Sequence, residues 1–256
     1  MAKYEVTQEL YQAVLSGDST CNASPSGGDS GAAGGEAQHK RPVEQVSWYD
    51  AVYFCNALSR KAGLTEYYTI TGISRNGGTK SIESATVGKN TAAGAQFGYR
   101  LPTDAEWEYA ARGGNPNAPE WQYSYAGSNT GFSPSSFVTA TADTSLESYG
   151  WYLYNSDDKT HQAGQKTGNK LFLHDLSGNV GEWCYDGYAR YPNSEDSLYT
   201  NGGYIKDPQG ASSSAQRIVR GGGYKDKAPD NCVSFRNAAP PADNHLDVGF
   251  RVCRSQ

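Results

Sequence analysis

Residues able to do chemistry are few in this chain, and none falls into a familiar catalytic grouping. The five cysteines, Cys21, Cys55, Cys184, Cys232 and Cys253, have neither a CxxC pair nor the Cys/His spacing of a zinc site. Buried apolar thiols and one or two disulfides are both open for them, and the odd number leaves at least one thiol free or paired between chains. The four histidines, His39, His161, His174 and His245, stand singly, which suits surface or hydrogen-bonded residues better than a ligand set. No Ser/His/Asp wording, phosphate-binding loop or dinucleotide fingerprint occurs. The most unusual stretch is Lys225 to Asp247, KDKAPDNCVSFRNAAPPADNHLD. It is mostly small or polar and is held between Arg220-Gly221-Gly222 and Gly249-Phe250-Arg251-Val252.

The elements that would position such a segment can be read from caps and periodicity. Thr7 to Leu15 reads as a short helix with Thr7 as N-cap. Ser16 to Gln38, rich in Gly, Ser and Ala, reads as a surface loop or insertion. Ser47-Trp48-Tyr49-Asp50 has capping-box spacing, and Ala51, Phe54, Cys55 and Leu58 behind it predict a helix of about four turns ending near Gly63. Tyr67 to Phe97, β-branched and broken by Gly and Asn, predicts a hairpin or two and then a flexible stretch. Thr103-Asp104-Ala105-Glu106 is a full capping box, with Gly113 to stop the second main helix. Beyond Gly114 short apolar runs alternate with Gly, Asn, Asp and Pro. With no internal repeat and no linker, residues 1–256 read as one α+β domain with two main helices, short strands and much irregular structure.

Composition narrows the partners. Hydrophobic residues are 37% and charged residues 19%, enough to bury a core. Nineteen tyrosines against seven phenylalanines suit a surface that is both apolar and hydrogen-bonding. A net charge of −5 argues against a nucleic-acid partner. No apolar run approaches the roughly eighteen residues of a membrane span. The opening MAKYEVTQEL has no signal-peptide pattern and reads as the middle of a fold. The expectation is an extracellular or cell-surface protein whose leader or lipid anchor is absent from this chain.

Six segments, KYEVT at 3–7, PVEQVSW at 42–48, RLPTDAEWE at 100–108, SGNVGEW at 177–183, VRGGGY at 219–224 and GFRV at 249–252, together resemble the formylglycine-generating-enzyme (sulfatase-modifying factor) family in order and wording. The resemblance runs from Lys3 to Cys253 and implies an irregular C-type-lectin-like fold. Oxidising members of that family bind copper through two cysteines shortly after the Gly-Gly-x-Tyr turn. Those positions fall here on Asp226 and Asn231, with Cys232 one residue out of register. A carboxylate cannot replace a thiolate toward Cu(I), so no copper and no catalysis are expected. A three-histidine iron site, found in a related branch, has no counterpart among the single histidines. The family's calcium loop maps onto Asp175, Gly178, Val180 and Glu182, a hard-oxygen set that implies a structural calcium ion.

Some family members are also diversified by retroelements, which randomise template adenines at the 3′ end of the gene. Mutagenised AAC codons yield residues such as Asn, Asp, Ala, Ser, Pro, His and Phe, but never Lys, and many positions of the Lys225 to Asp247 segment draw from that set. The resemblance implies a variable region at 220–252. Residues that must vary cannot carry the core and belong on braced loops. The candidates for that face are Tyr224, Asp226, Asp230, Asn231, Ser234, Phe235, Asn237, Asp243, Asn244, His245 and Asp247. The expected function is non-catalytic binding of a protein or cell-surface ligand. The alternatives are a copper-dependent thiol oxidase working through Cys232, which needs a reactive accessible thiol, and a sugar-binding lectin, which needs an exposed calcium with open positions.

Overall fold

The computed structural model describes residues 1–27, 34–129, 142–189, 210 and 214–254. Helix α1 (Gln8–Leu15) starts where the Thr7 hydroxyl accepts a hydrogen bond from the Leu10 N–H at 3.3 Å, and it buries Tyr11, Val14 and Leu15 at helical spacing. Helix α2 (Trp48–Lys61) opens on a reciprocal capping box: the Ser47 hydroxyl accepts from the Asp50 N–H and the Asp50 carboxylate accepts from the Ser47 N–H. Helix α3 (Asp104–Ala111) repeats the device with Thr103 and Glu106, and Glu106 also receives both guanidinium nitrogens of Arg100 at 2.6 and 2.7 Å. The short first helix and the two main helices therefore lie where the caps placed them.

Strands β1 (Tyr68–Arg75) and β2 (Ile82–Lys89) form an antiparallel hairpin. The remaining strands, β3 (Gly181–Gly187), β4 (Arg217–Arg220), β5 (Arg236–Ala239) and β6 (Val248–Gly249), make one sheet in the order β5-β4-β3-β6. Among these four strands β3 and β6 pair in parallel, and β3–β4 and β4–β5 are antiparallel.

The apolar faces of α1 and α2 meet Val6, Val43, Val46, Trp183 and Phe250 in one buried cluster, where the rings of Tyr11 and Phe54 stack 5.2 Å apart. Two indoles tie α2 to the sheet: Trp48 Nε1 donates to the Cys184 carbonyl and Trp183 Nε1 to the Val46 carbonyl, both at 2.9 Å. The first and last segments run side by side, with Ala2 N–H donating to the Val252 carbonyl and Val6 N–H to the Phe250 carbonyl.

The segment from Ser16 to Gln38 is more than a surface loop where it is described. Cys21 is buried against the first core, Asp18 accepts from the Tyr53 hydroxyl, and Glu36 accepts from the Gln162 N–H and lies 2.8 Å from His161 Nδ1. Small and polar residues hid these anchors, because scattered side chains and not a periodic pattern fasten the loop. Residues 28–33 lie outside the described residues.

Candidate functional site

A cleft of about 190 Å³ lies along the four-stranded sheet. Every strand of the sheet reaches it: Gly181 from β3, Val219 from β4, Asn237, Ala238 and Ala239 from β5, and Val248 from β6. Val219 and Asn237 are direct cross-strand partners, as are Gly181 and Val248. Gly181 leaves room for the cleft, since a Cβ there would stand 2.8 Å from Val219 Cγ1. Two turns add to the lining, Gly222 and Asp226 from one and His245 and Asp247 from the other, and Phe235 completes it.

The first turn is fixed by its backbone. Gly221 and Gly222 take φ of +91° and +66°, a region costly for any residue with a Cβ. The Gly223 N–H donates to Asp226 Oδ2 at 2.8 Å and the Tyr224 N–H to the Asn179 carbonyl at 2.9 Å. A 3₁₀ turn over Ala228–Asn231 follows, and Asn231 Nδ2 donates back to the Lys227 carbonyl at 2.7 Å.

Of the face foreseen from sequence, Asp226, Phe235, Asn237, His245 and Asp247 converge on this cleft. Ser234 and Asn244 are exposed outside it, and Asp243 pairs with His245 at 3.7 Å. Asp230 is half-buried and lies outside the lining. Tyr224 and Asn231 are corrections: both have 0% exposure and belong to the frame of the turn, not to a contact face. Polar side chains can be buried when a tight turn supplies hydrogen-bond partners, and composition does not reveal that. The floor residues Gly181, Val219 and Val248 were missed because only strand pairing brings them under the loop.

The rim is electronegative. Burial pushes the Asp226 carboxyl up to about 6, and the charges of Asp247 and Asp230 push in the same direction. Among the described residues no Lys or Arg lines the cleft. Two basic residues of the same stretch are paired elsewhere, Lys225 with Asp158 and Arg236 with Asp104 at 2.9 Å.

The calcium set implied by the resemblance is split between two environments. Asp175 accepts from the Gly164 N–H with one oxygen, and its other oxygen is buried without a hydrogen-bond partner, which a cation would suit. Glu182 is different. Arg251 Nε reaches both of its oxygens at 2.8 and 2.6 Å, Arg251 Nη2 reaches Oε1 at 2.5 Å, and Trp107 Nε1 donates to Oε2 at 2.7 Å. These contacts occupy the carboxylate's acceptor positions, and a buried guanidinium stands where the ion's charge would be felt. The residues present do not fit a calcium ion held by Glu182. Among the described residues no group of three or more His, Cys, Asp or Glu side chains is arranged to hold a metal.

All five cysteines are free and buried, so of the two readings left open the buried thiol is the one found. Burial pushes the Cys232 thiol up to about 12, and at neutral pH it is not a thiolate. No helix among the described residues is long and apolar enough to cross a membrane.

Three helices, short curled sheets and long packed loops define the C-type-lectin-like architecture of formylglycine-generating enzymes. The Sulfatase-modifying factor enzyme 1-like domain matches residues 1–256, and the chain belongs to that family. Among solved structures it is similar to Treponema denticola variable protein 1, with a TM-score of 0.73 and 34% identity over 98% of this chain and 82% of that one. It is 32% identical to the chaperone protein LppX of Paenibacillus barcinonensis, over 100% of this chain and 80% of LppX. It is 29% identical to the formylglycine-generating enzyme of Streptomyces coelicolor, over 63% of this chain and 48% of the enzyme.

Proposed function

We propose that this chain is a non-catalytic ligand-binding protein whose binding face is the cleft between the Gly222–Asp226 turn and the His245–Asp247 turn. One observation carries the reading: five residues marked from sequence as variable-face candidates line a single hollow whose floor is regular sheet. Their neighbours in the frame, Tyr224, Asn231 and Arg220, are buried, so the rim can change without the frame changing. The likeness to a variable protein supports a face that is diversified between copies.

The oxidase alternative lacks its reactive groups. The positions equivalent to the family's copper-binding thiols hold Asp226 and Asn231, and the nearby Cys232 is buried and protonated. Display outside the cell, through a leader or lipid anchor, is part of the same reading.

The test is the gene's own locus. A near-copy of the coding segment for Arg220 to Val252, differing only at template adenines and lying beside a reverse-transcriptase gene, is the expected result. Mismatches should fall on Asp226, Ser234, Phe235, Asn237, Asn244, His245 and Asp247 and spare Gly221, Gly222 and Arg251. Mismatches concentrated on the buried frame, or no such copy, would overturn the diversified-face reading.

A further inference from the structure

Resting on that reading, we propose that the cleft receives the cationic side chain of an arginine or lysine presented by a partner protein. Two carboxylates, Asp226 and Asp247, line the hollow, and among the described residues no Lys or Arg joins them there and no ion pair reaches either of them. Three basic residues nearby are engaged elsewhere. Arg220 pairs with Asp104 at 2.7 Å, Lys225 is directed at Asp158, and the Arg217 guanidinium lies 4.0 Å from the centre of the Trp48 ring.

The other groups favour the same ligand. Phe235 supplies an aromatic surface of the kind that attracts an ammonium or guanidinium. The cleft therefore presents two carboxylates and, among the described residues, no Lys or Arg side chain. That suits a head group carrying several N–H donors and no acceptor. At about 190 Å³ the hollow takes a side-chain head and not a folded element. The sheet floor leaves a peptide backbone outside, along the exposed Ser234 and Asn237.

The test pans a random dodecapeptide library on the whole protein, on the Asp226→Asn/Asp247→Asn double variant, and on Asn237→Trp, which blocks the cleft from an exposed strand position. Circular dichroism checks that each is folded. The expected peptides share an Arg or Lys whose replacement by citrulline or norleucine weakens binding at least tenfold, and both variants lose them. Affinity should also fall as salt rises. Peptides lost on Asn237→Trp but kept by the double variant would overturn the cation assignment and leave the binding face standing. Peptides indifferent to both variants, or no peptides at all, would overturn both. Free spermidine binding as tightly as the selected peptides would overturn the protein source.

Discussion

Replacing Asp226 by asparagine tests whether the cleft carboxylate is kept at the expense of the fold. In the folded chain this carboxyl is raised from its ordinary 3.8 to about 6, mainly by burial. The folded state takes up the proton as pH falls through about 6, whereas the unfolded chain does so only near the ordinary value. Stability is therefore greatest at low pH as far as this group is concerned. It falls by about 1.4 kcal/mol for each pH unit between the two pKa values and levels off above the higher one. Near neutrality the ionised Asp226 costs the fold about 3 kcal/mol on this account, or about 2 after allowing for its partial exposure. Asparagine keeps the shape and an oxygen able to accept the Gly223 N–H, without the charge. The Asp226→Asn variant should therefore be more stable by about 2–3 kcal/mol at pH 7 and nearly unchanged at about pH 3.5. Urea unfolding midpoints at several pH values, with m-values compared, read this directly. A variant no more stable than the parent at neutral pH, or a difference that does not shrink on acidification, would refute the reasoning.

Three further outcomes follow from the buried charges and thiols. Arg251→Met should destabilise by about 3–5 kcal/mol in urea, because it strands Glu182 beside Glu5 and Asp175 with no compensating charge. Millimolar calcium or EDTA should move the melting temperature by less than about 1 °C, since a ligand that does not bind the native state cannot stabilise it. A rise of several degrees that Asp175→Asn abolishes would show that the ion is held without Glu182. A thiol reagent should find no reactive cysteine in the native protein and five after denaturation, and fast native labelling of Cys232 would reopen the oxidase reading.

The parts of the fold legible in sequence were those written in neighbouring residues. The Thr7, Ser47 and Thr103 caps name their helix starts because donor and acceptor sit within a few positions of each other. The β1–β2 hairpin was legible for the same reason. Strand β6 was not: it is two residues long, and it exists because Gly181 and Glu182, far away in the chain, pair with Val248 and Gly249. The rim of the cleft was legible as a polar stretch between fixed ends, but its floor depends on that distant pairing. Glu182 shows the converse difficulty. A carboxylate in a tight loop has the same wording whether its partner is an ion or Arg251, and only the packing of the last segment decides.

The pairing of the chain's first and last segments has a consequence for topology. With the Ala2 N–H bonded to the Val252 carbonyl, the described backbone nearly closes on itself, and the order in which elements are synthesised is almost arbitrary. A circular permutant joined by a short flexible link and opened at the exposed Asn76–Thr79 turn would keep every pairing of the four-stranded sheet. In such a molecule the segment from Lys225 to Asp247 would lie mid-chain, with folded sequence on both sides of it.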